Sequence, residues 1–245
     1  MNIALIGYGK MGKEVERIAS ERNVVIKQKF TSMNNLDGIG LTKESLLGID
    51  VCIDFSTPLA VINNIGAVAS CGKNIIVGTT GWLDKLDHVK EIVRAKRIGL
   101  LYSPNFLLGM NIFSHLVAAA ASHMNRFGAY DVSIYEAHHK EKTDSPSGTA
   151  LMLGEAILQH FSSKRELLHG KSFTNLKPEQ LQITSERVGD VVGSHTVLFD
   201  SEADVIELRH TAKNRSGFAL GALIAAEWLK GKQGIFTMND VMTSS

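Results

Sequence analysis

Residues 2–12 read Asn-Ile-Ala-Leu-Ile-Gly-Tyr-Gly-Lys-Met-Gly, an apolar run that breaks into glycines at Gly7, Gly9 and Gly12. Asn2 to Ile6 is expected to form a strand, and the stretch through Val15, Ile18 and Ala19 a helix with one apolar face. In that setting each glycine has its own task. Gly7 makes the turn, Gly9 lets the backbone approach a pyrophosphate, and Gly12 lets helix close on strand. Tyr8, Lys10 and Met11 belong to the same loop. A glycine-rich turn with no ligand competes with this reading, but it does not explain why the glycines stand between a strand and a helix.

Outward from this segment the rhythm repeats. Val24 to Phe30, Val51 to Phe55, Asn74 to Val77 and Ile98 to Tyr102 are strand-like, with helical stretches between them, as in a parallel βαβ sheet. Thr57-Pro58 is expected to cap the helix after the third strand, and Gly72 to end it. From about Asn111 the pattern changes. A long helix, Ile112 to Arg126, precedes the run Tyr130 to Tyr135 and a helix ending near Phe161, and then come Leu181 to Arg187, Gly193 to Phe199 and Val205 to Thr211 with only turns between. A last apolar helix spans Gly217 to Leu229. The fold class is therefore α/β: an N-terminal Rossmann-type parallel sheet with a second α+β domain built on a mostly antiparallel sheet. Residues 1–107 plus 216–245 are assigned to the dinucleotide-binding domain and 108–215 to a substrate-binding and oligomerisation domain.

The second strand lacks the acidic residue that usually holds an adenosine ribose. Its end reads Lys27-Gln-Lys-Phe-Thr-Ser32, where Lys29, Thr31 and Ser32 tolerate or attract a 2′-phosphate, or are simply solvated. Gly78-Thr79-Thr80-Gly81 and Ser103-Pro104-Asn105-Phe106 follow the fourth and fifth strands, where ligands of open α/β sheets bind; ordinary turn chemistry accounts for their composition equally well.

The chemistry concentrates at Glu136-Ala-His-His-Lys-Glu-Lys-Thr-Asp-Ser-Pro-Ser-Gly-Thr149. Adjacent strand residues face opposite ways, so His138 and His139 do not share a metal ion, and no metal is expected. Ser145 to Thr149 has the composition of a helix start, whose N–H groups, with Lys142, suit a carboxylate or phosphate. Glu136 shares a strand face with His138 and either orients it or makes a surface ion pair. Asp144 either fixes the turn or holds Lys142, while His195 and His210 read as structural or supporting.

Composition narrows the function classes. In 245 residues, 26 basic against 25 acidic groups provide no bulk charge for nucleic acid or an anionic membrane. No apolar run approaches the roughly 20 residues of a membrane span, no leader is expected, and two cysteines without a disulfide pattern suit a reducing cytoplasm.

Taken together, Gly7 to Gly12, Gly78 to Gly81, Ser103 to Phe106 and above all Glu136 to Ala150 resemble the 4-hydroxy-tetrahydrodipicolinate reductase (dihydrodipicolinate reductase) family. The stretches Arg187-Val-Gly-Asp-Val-Val-Gly-Ser-His-Thr196 and Phe218-Ala-Leu-Gly-Ala222 extend the resemblance along the chain. It implies reduction of 4-hydroxy-tetrahydrodipicolinate to tetrahydrodipicolinate in lysine and diaminopimelate biosynthesis, with NADPH or NADH, by a cytoplasmic homotetramer acting on a small dicarboxylate. It also implies catalytic roles for His138 and Lys142 and substrate binding by His139, Gly148 and Thr149. For the cofactor it implies Gly7, Tyr8, Gly9, Lys10, Met11, Gly12, Gly78, Thr79, Thr80, Ser103, Pro104, Asn105 and Phe106, with Thr31 standing where members often carry an acid. The rival readings are another two-domain NAD(P)-dependent oxidoreductase, acting on an oxo acid or semialdehyde, and a nucleotide-sensing protein of the same fold without turnover.

Overall fold

The computed structural model describes residues 1–170 and 175–244. In chain order the elements are β1 (Asn2–Ile6), α1 (Lys10–Ser20), β2 (Val25–Phe30), β3 (Val51–Asp54), α2 (Val61–Ser70), β4 (Asn74–Val77), α3 (Leu86–Lys96) and β5 (Gly99–Tyr102). There follow α4 (Leu108–Asn125), β6 (Asp131–His138), α5 (Gly148–His160), β7 (Glu166–His169), β8 (Gln180–Arg187), β9 (Ser194–Asp200) and β10 (Val205–Thr211). The chain closes with α6 (Ser216–Leu229), β11 (Gly234–Phe236) and α7 (Met238–Thr243). Two compact units result: Met1–Leu108 with Arg215–Ser245, and Gly109–Asn214.

The first unit is a six-stranded parallel sheet in the order β11-β5-β4-β3-β1-β2. Its strands are apolar on both faces because helices cover both. Ile3, Leu5, Val51, Ile53 and Ile76 point to one side and pack against α1 and α6, while Ala4, Ile6, Cys52, Ile75 and Val77 point to the other and pack against α2 and α3. Each buried Ile or Leu contributes about 1.5–3 kcal/mol. Strand order reverses between β1 and β3, and there the carboxyl ends form a row. The Gly7 N–H donates to Phe30 O at 2.9 Å, Phe55 N–H to Ile6 O at 2.8 Å, Gly78 N–H to Asp54 O at 2.8 Å and Ser103 N–H to Val77 O at 3.1 Å.

Two details of the first unit differ from expectation. Thr57 does not cap α2 with its hydroxyl; residues 57–60 form a turn in which the Thr57 carbonyl accepts from Ala60 and Val61, so the helix begins at Val61. The terminal Gly234–Phe236 is a sixth strand, too short at three residues to carry a readable period.

The second unit holds a five-stranded sheet in the order β10-β9-β6-β8-β7. β9 and β10, joined by a turn, pair antiparallel as expected, but β8 and β9 do not pair, because β6 lies between them and runs antiparallel to β9. β8 runs parallel to β6, and β7 parallel to β8, so the sheet is mixed. The cause is the chain between β6 and β8: it includes α5, and a helix crossover returns the chain in the starting direction. β7, reading Glu-Leu-Leu-His, has no β-branched residue and escaped notice in the sequence. No helix among the described residues is long and apolar enough to cross a membrane, and Cys52 and Cys71 are unpaired.

Close packing tests this arrangement. A Cβ added to Gly221 in α6 would lie 1.8 Å from the Phe106 carbonyl oxygen, where backbone must move. Gly221→Ala is expected to cost about 3 kcal/mol, read as a lower urea midpoint at unchanged slope. An unchanged midpoint would show that the loop after β5 yields freely.

Candidate active site

At the carboxyl ends of β1, β3 and β4 the residues fit a dinucleotide. Gly7 has φ +88° and a Cβ there would sit 2.3 Å from Phe55 O, while one at Gly12 would sit 2.4 Å from Gly7 O. Around Gly9 nothing lies within 4 Å of an added Cβ, so the backbone is open to an approaching group. No side chain caps the start of α1, which leaves its N–H groups and positive end for an anion. Gly9, Lys10, Met11, Ser56, Thr79 and Thr80 line a cleft of about 290 Å³. The structure thus brings the glycine loop and the Gly78–Thr80 loop to one cleft.

Other expected cofactor residues are placed differently. Phe106 is a core residue, edge-on to Phe55 with centroids 6.1 Å apart, and Ser103 and Asn105 are buried, the Ser103 hydroxyl donating to Asn105 O at 2.7 Å. These three brace the loop, whereas Pro104 is exposed. Tyr8 is tied to Glu16, and Lys29 lies over its ring while pairing with Glu16 at 2.5 Å. Lys29 is therefore already engaged. The Thr31 N–H donates to Asn34 Oδ1 at 2.7 Å, a turn that Thr31 and Asn34 build together.

In the second unit, β6 delivers Glu136 and His138 to one face of the sheet. Glu136 is fully buried, not a surface acid. Its Oε2 lies 2.5 Å from His138 Nδ1, an ion-pairing distance, although neither atom has a well-directed hydrogen bond. Oε1 accepts from the Ser147 N–H at 3.2 Å and from the Arg187 guanidinium at 3.0 Å. Burial pushes the Glu136 carboxyl up, but His138, Ser185, Ser147 and Arg187 together outweigh it and hold the group well below the usual carboxylate range.

Around this carboxylate the loop from His139 to Ser147 is secured. Arg187 also donates to Asp144 O at 2.6 Å, and the Asp144 carboxylate holds Lys142 Nζ at 2.7 and 2.8 Å. Asp144 therefore holds Lys142, which decides between the two roles left open for it. Lys142 N–H donates to His139 O at 3.1 Å, and Ser147 caps α5 by accepting from Ala150 N–H at 3.1 Å. Gly148 opens α5 with nothing within 4 Å of an added Cβ. With Nδ1 turned to Glu136, Nε2 is the ring nitrogen of His138 that faces away from the carboxylate. Gly193 preserves its space, since a Cβ there would come within 3.0 Å of that nitrogen.

Register extends the cluster across the sheet. Ser185, Glu136, His195 and His210 stand side by side on β8, β6, β9 and β10. His195 is buried, edge-on to His138 with centroids 5.1 Å apart, and its Nε2 meets Ser147 Oγ at 3.3 Å. Burial, reinforced by His138, His210 and Lys142 against the opposing pull of Glu136, lowers His195 to about 4. Glu136, His138 and His195 also have ligand atoms within 4.8 Å of one another, a spacing open to a metal ion. Arg187 already sets a positive charge on the same carboxylate, which opposes a second cation there.

The chain matches known proteins along both units. Residues 1–106 match the family model for dihydrodipicolinate reductase, N-terminus, and residues 109–242 that for dihydrodipicolinate reductase, C-terminus. The chain belongs to the dihydrodipicolinate reductase family. Among its relatives, the 4-hydroxy-tetrahydrodipicolinate reductase of Christiangramia forsetii is 42% identical over 99% of this chain and 98% of its own. That of Methanosarcina mazei is 36% identical over 98% of this chain and 88% of its own. A dipicolinate-bound dihydrodipicolinate reductase from Paenisporosarcina sp. TG-14 shares the fold, with a TM-score of 0.77 at 24% identity over 97% of each chain. Arg187 and His195 join the Glu136 cluster; His195 was read from the sequence as structural or supporting and Arg187 reached only through the resemblance, because strand register is carried by no local pattern.

The His195 shift has a measurable consequence. Its folded value of about 4 lies below the ordinary 6.5, so the unfolded chain takes up the proton first. The stabilisation is complete above pH 6.5 and is lost as pH falls towards 4, amounting to about 3 kcal/mol. His195→Gln is expected to flatten the decline of the urea midpoint between pH 7 and 4.5; an equally steep decline would assign the acid sensitivity elsewhere.

Proposed function

We propose that the protein reduces 4-hydroxy-tetrahydrodipicolinate to tetrahydrodipicolinate in lysine and diaminopimelate biosynthesis, with NADPH or NADH as hydride donor. The observation that carries this reading is the junction of β6 with α5, where a buried carboxylate backs His138 and the same loop presents Lys142 and the start of α5. A dicarboxylate imine needs those groups: a proton source, a cation and an anion seat.

When bound, the nucleotide supplies the hydride. Hydride addition to a conjugated imine leaves an enamine-like anion that must gain a proton, and a histidine suits that transfer near neutral pH. His138 delivers it from Nε2 while Glu136 receives the Nδ1 side and balances the ring's charge. Lys142, steadied by Asp144, binds a carboxylate and stabilises the developing anion. His139 binds substrate, and the Gly148 and Thr149 N–H groups with the Thr149 hydroxyl seat a carboxylate. Gly7 to Gly12, Thr31, Gly78 to Thr80 and Ser103 to Phe106 hold or support the nucleotide. Thr31 stands where an acid would select NADH, and Lys29 is held by Glu16 and lies over the Tyr8 ring, which supports use of either nucleotide.

The protein is proposed to work as a cytoplasmic homotetramer on a small dicarboxylate, with no nucleic acid or membrane partner; exposed Tyr135 and Val205 support a subunit contact on the second sheet. A monomer mass in light scattering would remove that assembly.

The enzymatic condensation product of pyruvate and aspartate semialdehyde should be reduced with oxidation of NADPH or NADH. His138→Gln is expected to lower kcat by about 10² to 10⁴ while leaving nucleotide affinity nearly intact. Absence of turnover with both nucleotides would favour an oxidoreductase of another oxo acid or a nucleotide-sensing role.

A further inference from the structure

β3 ends in a buried acid that the reaction above does not use. Asp54 is 0% exposed, and among the described residues it forms no ion pair. Its Oδ1 accepts from the Ser56 N–H at 2.9 Å, the Ser56 hydroxyl at 2.7 Å and the Thr79 hydroxyl at 2.6 Å. Oδ2 accepts from Asn64 Nδ2 at 2.9 Å. Asn64 cannot turn round, because its Oδ1 accepts from Asn35 Nδ2 at 3.0 Å, and Asn35 Oδ1 in turn accepts from the Gly40 N–H.

Three donors on one oxygen suit a charged carboxylate better than a neutral acid. Burial pushes the Asp54 carboxyl above the ordinary aspartate value, and the Thr79, Ser56 and Asn64 hydrogen bonds bring it only part of the way back. Four neutral donors disperse such a charge without cancelling it. Ser56 and Thr79 themselves line the 290 Å³ cleft, so the carboxylate stands one hydrogen bond behind its wall.

Which part of a nucleotide lies there follows from topology. In an open α/β sheet the dinucleotide spans the reversal of strand order, here between β1 and β3. The adenosine half belongs over β1 and β2, and the nicotinamide half over β3 and β4, in front of Asp54. An oxidised nicotinamide ring is a cation; a reduced one is neutral. Hydride departs with both electrons, so the ring left behind gains one positive charge.

We propose that Asp54 acts through Ser56 and Thr79 as a fixed negative charge that favours the oxidised nicotinamide over the reduced one, and so strengthens the bound nucleotide as a hydride donor. The inference rests on the nucleotide reading above. Asp54 touches neither substrate nor nucleotide; it is a positioning residue whose charge is felt across the wall. Lys10, a charged group that lines the cleft itself, is exposed and opposes it. Water and salt screen Lys10 more than the buried acid, so the negative charge prevails.

The test is binding, measured by calorimetry with NADP⁺ and NADPH, or with NAD⁺ and NADH if that pair binds more tightly. Asp54→Asn keeps the shape and removes the charge. It is expected to weaken the oxidised form about tenfold relative to the reduced form. Equal weakening of both forms would reduce Asp54 to a prop for two loops, and no change in either would remove it altogether; both outcomes overturn the proposal. Should the variant fail to fold, the Cγ chemical shift of Asp54 in the wild-type protein decides: an ionised group at neutral pH supports the proposal, a protonated one overturns it. Wild-type protein that binds none of these nucleotides would instead refute the nucleotide reading itself.

Discussion

A carboxylate with no access to water must be matched by neighbours or it costs several kcal/mol, and in the second unit Glu136 is that carboxylate. Its solutions are the site. Arg187 provides the compensating charge, and the same guanidinium reaches Asp144 O, so the loop after β6 is tied back to β8. Asp144 then holds Lys142. Ser147 gives Glu136 its backbone N–H, caps α5 with its hydroxyl and meets His195. His138, on the remaining side of the carboxylate, is left with Nε2 outward beside Gly193. Removing the Glu136 charge would therefore unsettle His138, Lys142 and the start of α5 together.

The first unit meets an analogous constraint with backbone. Its strand ends approach so closely that Gly7 and Gly12 tolerate no Cβ, while the backbone at Gly9 stays open to the cleft. Behind the opening a second buried carboxylate, Asp54, joins the β3 and β4 loops. The two buried acids differ in one respect. Glu136 is matched by an arginine, Asp54 only by neutral donors, so their charges reach their surroundings to different degrees.

How much of this is legible in the sequence depends on the range over which each feature is encoded. The strand, turn and helix at 2–20 and the strand, loop and capped helix at 131–160 are written in contiguous residues, so glycine spacing and helix-start chemistry suffice for both. The pairing of Glu136 with Ser185 and His195, and of His138 with Arg187, depends on register between strands some fifty residues apart, which no local period encodes. For the same reason Glu136 reads equally well as a surface acid until its neighbours are placed. The place of β8 escaped because turn-joined strands suggest hairpins, whereas β8 and β9 lie on opposite sides of β6 and do not pair. Lys29 looked available to a phosphate, and only the fold shows Glu16 and Tyr8 occupying it.

Glu136 holds His138 with Nδ1 inward and Nε2 outward. The ¹⁵N chemical shifts of the His138 ring, recorded for the wild-type protein and for Glu136→Gln above neutral pH, test it most directly. A proton on Nδ1 is expected in the wild type and a mixture of tautomers in the variant. A wild-type ring protonated on Nε2, or tautomers unchanged by the substitution, would contradict it.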